Sequence, residues 1–112
     1  MTKVLLVCGT DGCLKGCSAR GHAFFAAKGR DIVCSAQTLL LRTALSVLEG
    51  TEGLSVCCDA SERGSLAFSV QVEFHSAELA GRLKCTADFI RDGISSLSQE
   101  YPGCVQLKEI IE

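Results

Sequence analysis

The 112-residue sequence lacks long apolar runs, low-complexity segments, internal repeats and an excess of charge of one sign. No apolar run approaches the roughly 20 residues of a membrane-spanning helix, so we expect no transmembrane span. Eleven basic residues against 13 acidic ones give a net charge of −2, without the clustered basic surface typical of nucleic-acid binding. Hydrophobic residues form 47% of the chain, which excludes disorder and suits a single domain over residues 1–112.

Secretion and disulfide bonding are also poorly supported. The apolar stretch before Cys8 is too short for a secretory signal, and Asp11 follows it closely. Eight cysteines in 112 residues fall just below the roughly 8–10% typical of disulfide scaffolds. We therefore expect a cytoplasmic protein with mostly free thiols, most of which pack as small hydrophobic groups.

The first half of the chain predicts two strands and a helix. A continuous apolar run at residues 3–8 suits a buried strand, and a turn at residues 9–12 leads to a returning strand at 13–20. Residues 21–30 are interpreted as a loop that changes shape. Asp31 is a good N-cap for a helix that ends at Gly50, because apolar residues recur between them at three- and four-residue spacing.

The second half predicts a hairpin, a helix and a short strand. Apolar and polar residues alternate at 54–59 and again at 66–74, with a polar turn at 61–64 between them. Ser76 caps a second helix, which runs to about Glu100 and ends before Pro102. A short alternating strand follows at 105–108.

These elements give the order β-β-α-β-β-α-β and a two-layer α+β fold: a mixed five-stranded sheet with two main helices on one face. The other face of such a sheet is open. Since small domains of this kind often cover an open face by self-association, we expect a homodimer.

Cys34 is the cysteine whose position suggests reactivity. With Asp31 as the N-cap, Cys34 lies in the first helical turn, where free backbone N–H groups and the helix dipole favour a thiolate. His22 lies in the loop that leads into this helix and is the natural candidate for the base. Asp31 is a capping residue and could also orient His22.

Two other interpretations of these residues remain open. A cysteine beside Val33 and Ala36 is usually a packing residue. A zinc site would use Cys8, Cys13, Cys17 and His22, but zinc ligands prefer two close pairs separated by a longer gap, and this series lacks that spacing. Phosphate-binding loops of the G-x-x-x-x-G-K or G-x-G-x-x-G type are missing from the sequence.

Two neighbouring motifs carry a family resemblance. They are Gly21-His22-Ala23 and, after a short loop, Gly29-Arg30-Asp31-Ile32-Val33-Cys34-Ser35-Ala36. Together they resemble the signature of the bacterial ribosomal-processing cysteine protease family, Prp. The likeness extends over nearly the whole chain, from the N-terminal hairpin to the end of the second helix.

The resemblance implies a homodimeric α+β cysteine endopeptidase that removes a short N-terminal extension from a large-subunit ribosomal protein. It implies Cys34 as nucleophile, His22 as general base and a role for Asp31. The segment 23–30 is then the loop that moves when the peptide enters. The candidate substrate-loop residues are Gly21, Ala23, Phe24, Phe25 and Gly29.

This cysteine endopeptidase with a Cys34–His22 dyad is our leading hypothesis. It needs no cofactor or metal, and its expected partners are the peptide and a second copy of the chain, not nucleic acid or a membrane. Backbone N–H groups at the start of the first helix are candidate oxyanion donors. The alternatives are a non-catalytic dimeric binding module for a ribosomal or assembly partner and a thiol-based metal or redox protein.

Overall fold

The computed structural model describes residues 1–21, 28–60 and 65–112, with the side chains of 28–31 left out. It confirms the α+β class and the order β-β-α-β-β-α-β. The predicted turn at 61–64 lies outside the described residues. The elements are β1 (Thr2–Cys8), β2 (Leu14–Arg20), α1 (Lys28–Glu49), β3 (Leu54–Asp59), β4 (Ser65–Val72), α2 (Ala77–Glu100) and β5 (Val105–Ile111).

Strand β1 joins the antiparallel part of the sheet to its parallel part. The sheet has the order β3-β4-β2-β1-β5, in which β1 pairs antiparallel with β2 and parallel with β5. The sheet is therefore mixed, as predicted. The parallel pairing extends over seven residue pairs, from Thr2↔Val105 to Cys8↔Ile111, which explains why β5 is longer than the strand predicted at 105–108.

The hydrophobic core lies between one face of the sheet and the two helices. In β4, Leu66, Phe68 and Val70 are buried while their neighbours are more exposed, which is the alternation that the sequence predicted. The sheet contributes Val4, Leu6, Cys8, Leu14, Cys17, Ala19 and Val105 as well. The helices contribute Val33, Leu41, Ala44, Leu45, Leu48, Leu83, Ala87, Ile90 and Ile94.

Helix α2 begins where the sequence placed its cap. The Ser76 hydroxyl accepts a hydrogen bond from the backbone N–H of Leu79 at 3.3 Å, so the side chain occupies one donor that the helix itself leaves free. At the other end, the N–H of Tyr101 donates to the carbonyl of Leu97 at 2.8 Å. Tyr101 is thus the C-cap, and the helix ends at Glu100, ahead of Pro102.

The second face of the sheet is more polar than the first. Along β1 it carries Lys3, Leu5 and Val7, with Arg20 opposite Lys3 and Lys108 opposite Leu5. Antiparallel pairs commonly leave one face to solvent. The open face is thus a weaker reason for dimerisation than the sequence argument assumed.

Several exposed apolar side chains lie together on the outer side of α1. Ile32, Leu39 and Val47 are 58%, 69% and 47% exposed. The window Ile32–Glu49 has a mean hydropathy of 1.3 and is long and apolar enough to cross a membrane, by length and composition alone. Its other side is buried in the core through Leu41 and Leu48, which is the arrangement of a core helix.

Two glycines of α2 test how closely the helices pack. A Cβ added to Gly93 would collide with Leu40 Cδ1, whereas one added to Gly81 meets nothing within 4 Å. We expect Gly81→Ala to raise the free energy of unfolding by about 0.5–1 kcal/mol, the helical preference of alanine over glycine. Gly93→Ala should be less stable than Gly81→Ala by about 1–3 kcal/mol, since Leu40 must move.

Urea unfolding followed by circular dichroism measures both variants. Equal gains in stability for Gly81→Ala and Gly93→Ala would contradict this helix packing.

Candidate active site

Cys34 lies on α1 at the edge of its buried side. Val33 and Gln37 are buried, and Cys34 itself is half-buried. The burial of Val33 and Leu41 against the sheet fixes the rotation of the helix about its axis. Cys34 is therefore held beside the start of β1 and still reaches the surface.

The start of α1 corrects the prediction for Asp31. The helix begins at Lys28, so Asp31 is its fourth residue and not the N-cap, and Cys34 is its seventh. An aspartate suits the first turn as well as the cap position, because both are close to the positive end of the helix dipole. This ambiguity explains the error of three residues.

The same shift removes a predicted source of thiol activation. The N–H groups without an intrahelical acceptor precede residue 31, and the dipole effect falls off within the first turn. Cys34 stands in the second turn, so helix-terminal N–H groups are not beside its sulfur. Its chemistry depends on groups from other elements.

Among the described residues, Thr2 has a side chain within hydrogen-bonding range of Cys34. Its Oγ1 lies 4.0 Å from Cys34 Sγ, within the range of a sulfur hydrogen bond in which either atom is the donor. The backbone N–H of Thr2 donates to the carbonyl of Cys104 at 2.9 Å. The first strand and the first helix thus meet at the candidate nucleophile.

Gly21 lies against the same strand end. Its φ is +130°, and a Cβ added to it would lie 2.6 Å from the carbonyl oxygen of Met1 and 3.0 Å from Thr2 Cα. Only glycine fits this close approach. Thr2 therefore contacts both Cys34 and the residue that directly precedes His22 in the sequence.

The other predicted site residues lie mainly outside the described residues. His22, Ala23, Phe24 and Phe25 belong to the segment 22–27, and the roles predicted for them stay predictions. Gly29 lies in the first turn of α1, so residues 28–30 of the loop predicted over 23–30 are helical instead.

All eight cysteines are free, and burial decides the acidity of those in the first hairpin. Burial raises the pKa of Cys17 to about 12, and it is also the main cause of the raised pKa of Cys8 and of Cys13. At Cys8 the Arg91 guanidinium partly opposes this rise in pKa. These three thiols stay protonated near neutral pH and are poor nucleophiles.

The zinc interpretation gains no geometric support. Cys8 and Cys17 are packed in the hydrophobic core. Within residues 1–21, 28–60 and 65–112, no three His, Cys, Asp or Glu side chains come close enough together to hold a metal ion.

Sequence reasoning missed Thr2. A threonine at the start of a strand carries no signal of its own, and it is 32 residues from Cys34 in the chain. The one available hint was a polar residue at an inward-facing position of β1, where the later inward residues Val4 and Leu6 are apolar.

A family model and several solved structures match the chain. The sequence model of the family described as Cysteine protease Prp matches residues 1–106. No curated protein sequence matches the chain. Among solved structures, SMU.848 from Streptococcus mutans is 20% identical with a TM-score of 0.77, and the match covers 100% of this chain and 96% of that one.

Two structures of the ribosomal processing protease Prp from Staphylococcus aureus share the fold. The complex with a substrate peptide has a TM-score of 0.78 at 14% identity. The complex with a covalently linked product peptide has a TM-score of 0.74 at 18% identity. Each match covers 98% of this chain and 100% of the other.

The close approach of Gly21 to β1 gives a test with a matched control. Gly21→Ala should lower the free energy of unfolding by about 2–4 kcal/mol, because the new methyl group collides with backbone atoms. Gly103 also has a positive φ, +84°, but a Cβ there meets nothing within 4 Å. Gly103→Ala should therefore cost only about 1–2 kcal/mol of backbone strain.

Chemical denaturation of both variants measures the difference. If Gly21→Ala is no less stable than Gly103→Ala, Gly21 is not packed against the first strand in the way described.

Proposed function

Because the chain belongs to the Prp family of cysteine proteases, we propose that its active site is a dyad of Cys34 and His22. The resemblance found in the sequence motifs is thereby confirmed at the level of the family. The observation that carries the dyad is the double contact of Thr2. It touches Cys34 through its hydroxyl and Gly21, the residue before His22, through its backbone.

The proposed reaction follows from the two side chains. The Cys34 sulfur attacks the carbonyl carbon of the scissile peptide bond, while His22 takes the thiol proton and passes it to the leaving amine. The acyl group stays on the sulfur as a thioester until water hydrolyses it and restores the thiol. Asp31 is proposed to assist His22 from the first turn of α1.

The proposed substrate is a ribosomal protein. The motifs of the chain resemble those of proteases that trim an N-terminal extension from a large-subunit ribosomal protein, and the S. aureus protease of the same fold is a ribosomal processing enzyme. We propose the same class of substrate here, bound near the segment 23–27 and the start of α1. The eight free cysteines favour a cytoplasmic, reducing location for the reaction.

We further propose a homodimer formed through the outer side of α1. Leu39 lies seven residues after Ile32 and eight before Val47, so the exposed apolar stripe is nearly symmetric about Leu39. An antiparallel copy of the same helix would place Ile32 against Val47 at both ends, as an interface with a two-fold axis requires. Such packing would cover the most exposed apolar side chains of α1.

The nucleophile is tested by replacing Cys34. Cys34→Ala should abolish cleavage of a peptide that spans the N-terminal extension and mature start of the ribosomal protein, because the attacking atom is gone. Cys57→Ala is the matched control, since Cys57 is an exposed thiol on β3 and should leave the rate unchanged. Chromatography of the peptide products measures both.

Undiminished cleavage by Cys34→Ala would refute the dyad. Loss of cleavage in both variants would mean that the assay responds to something other than the nucleophile.

The dimer is tested by placing a charge at the centre of the α1 stripe. Leu39→Glu should convert a dimer into a monomer in analytical ultracentrifugation, because two carboxylates would face each other across the axis. Ile111→Glu is the control: Ile111 is 70% exposed on β5, at the sheet edge opposite β3, and the variant should remain dimeric. A dimeric Leu39→Glu, or a monomeric unmodified protein, would rule out this interface.

A further inference from the structure

Thr2 is a polar residue in a core position. It is only 4% exposed and points to the same side of β1 as Val4, Leu6 and Cys8, all of them buried. Burying a hydroxyl without a hydrogen-bond partner costs free energy. The hydroxyl therefore needs a partner at this position, whereas a valine would not.

Cys34 is the side-chain partner of that hydroxyl in the described part of the chain, with 4.0 Å between Oγ1 and Sγ. The Thr2 backbone is held separately, by its N–H bond to the Cys104 carbonyl and by pairing with Val105. The hydroxyl is thus not needed to hold the Thr2 backbone and can form a hydrogen bond with the Cys34 sulfur. Gln37, the other buried polar residue among those described, lies one helical turn after Cys34.

We propose that the Thr2 hydroxyl is a positioning residue for the reaction: it donates a hydrogen bond to the Cys34 thiolate and aims the sulfur at the substrate. The inference rests on the proposed function, in which Cys34 is the nucleophile. A thiol is a weak donor and a thiolate is a charged acceptor, so this bond strengthens when the proton leaves. The β-branched threonine has a stiff χ1, so the donor itself is well fixed.

Besides His22 and Asp31 of the proposed site, three other titratable groups belong to segments that meet here. They are the amino group of Met1, which precedes Thr2, the thiol of Cys104, whose carbonyl binds the Thr2 N–H, and the phenol of Tyr101, whose carbonyl accepts from the N–H of Cys104. A variant that changes only the Thr2 hydroxyl leaves all three in place. Substitution of Thr2 therefore tests the hydroxyl without changing any of these titratable groups.

The test is the pH dependence of Cys34 alkylation by iodoacetamide, read for each cysteine by peptide mass spectrometry. Thr2→Val keeps the shape and removes the donor, and Thr2→Ser keeps the donor. We expect Thr2→Val to raise the midpoint at Cys34 by roughly half to one pH unit, because a hydrogen bond to the charged form is lost. Thr2→Ser should match the unmodified protein.

Peptide cleavage near neutral pH should change in parallel. Such a displacement lowers the thiolate fraction by at most roughly 3- to 10-fold, and kcat should fall within that limit with KM unchanged. An unchanged or lowered midpoint in Thr2→Val, or a Thr2→Ser midpoint that rises as much as that of Thr2→Val, would overturn the proposal.

Alkylation of Cys17 reports folding within the same experiment, since Cys17 is buried and should react only if the domain opens. If Thr2→Val exposes Cys17, Thr2→Ala takes its place with the same expected rise. The alkylation profile does not depend on cleavage. A failure of the Thr2 proposal is thereby distinguished from a failure of the dyad, which the Cys34→Ala variant reports.

Discussion

The burial of one side of α1 against the sheet is the constraint on which the site depends. Val33, Leu41 and Leu48 are almost completely buried, and they fix the rotation of the helix. That rotation sets Cys34 at the border between core and solvent, next to Thr2. The helix that packs in the core is thus also the helix that carries the candidate nucleophile. The position of the sulfur is fixed by packing along the whole length of α1.

Strand β1 contributes the other described part of the candidate site. Strand β1 pairs on both sides, so its first residues have little freedom. Gly21 closes against them with a conformation that other residues rarely adopt. The chain leading to His22 therefore begins from a fixed point beside Thr2, the residue whose hydroxyl lies within hydrogen-bonding range of Cys34.

Local patterns predicted most of the fold, and tertiary contacts decided the remainder. The alternation around Phe68 and the cap at Ser76 are local signals, and both were correct. The start of α1 was misplaced because Asp31 suits a cap and a first turn equally well. The extra length of β5 comes from parallel pairing with β1, which its own residues do not reveal.

The candidate site was likewise predicted only in part from local sequence. The motifs around His22 and Cys34 identified the family, whereas the contact of Cys34 with Thr2 joins residues far apart in the chain and was invisible in the sequence. Because Cys34 lies in the second turn of α1, the proposed dyad relies on side chains from outside this helix end. The reactive sulfur is the central claim of this account.

Covalent trapping tests that claim most directly. The protein would be incubated with a chloromethyl ketone built on the substrate peptide, and the modified residue mapped by mass spectrometry of the digested protein. The account predicts one adduct per chain, on the fragment that contains Cys34. An adduct on another cysteine, or complete inhibition with Cys34 unmodified, would contradict it.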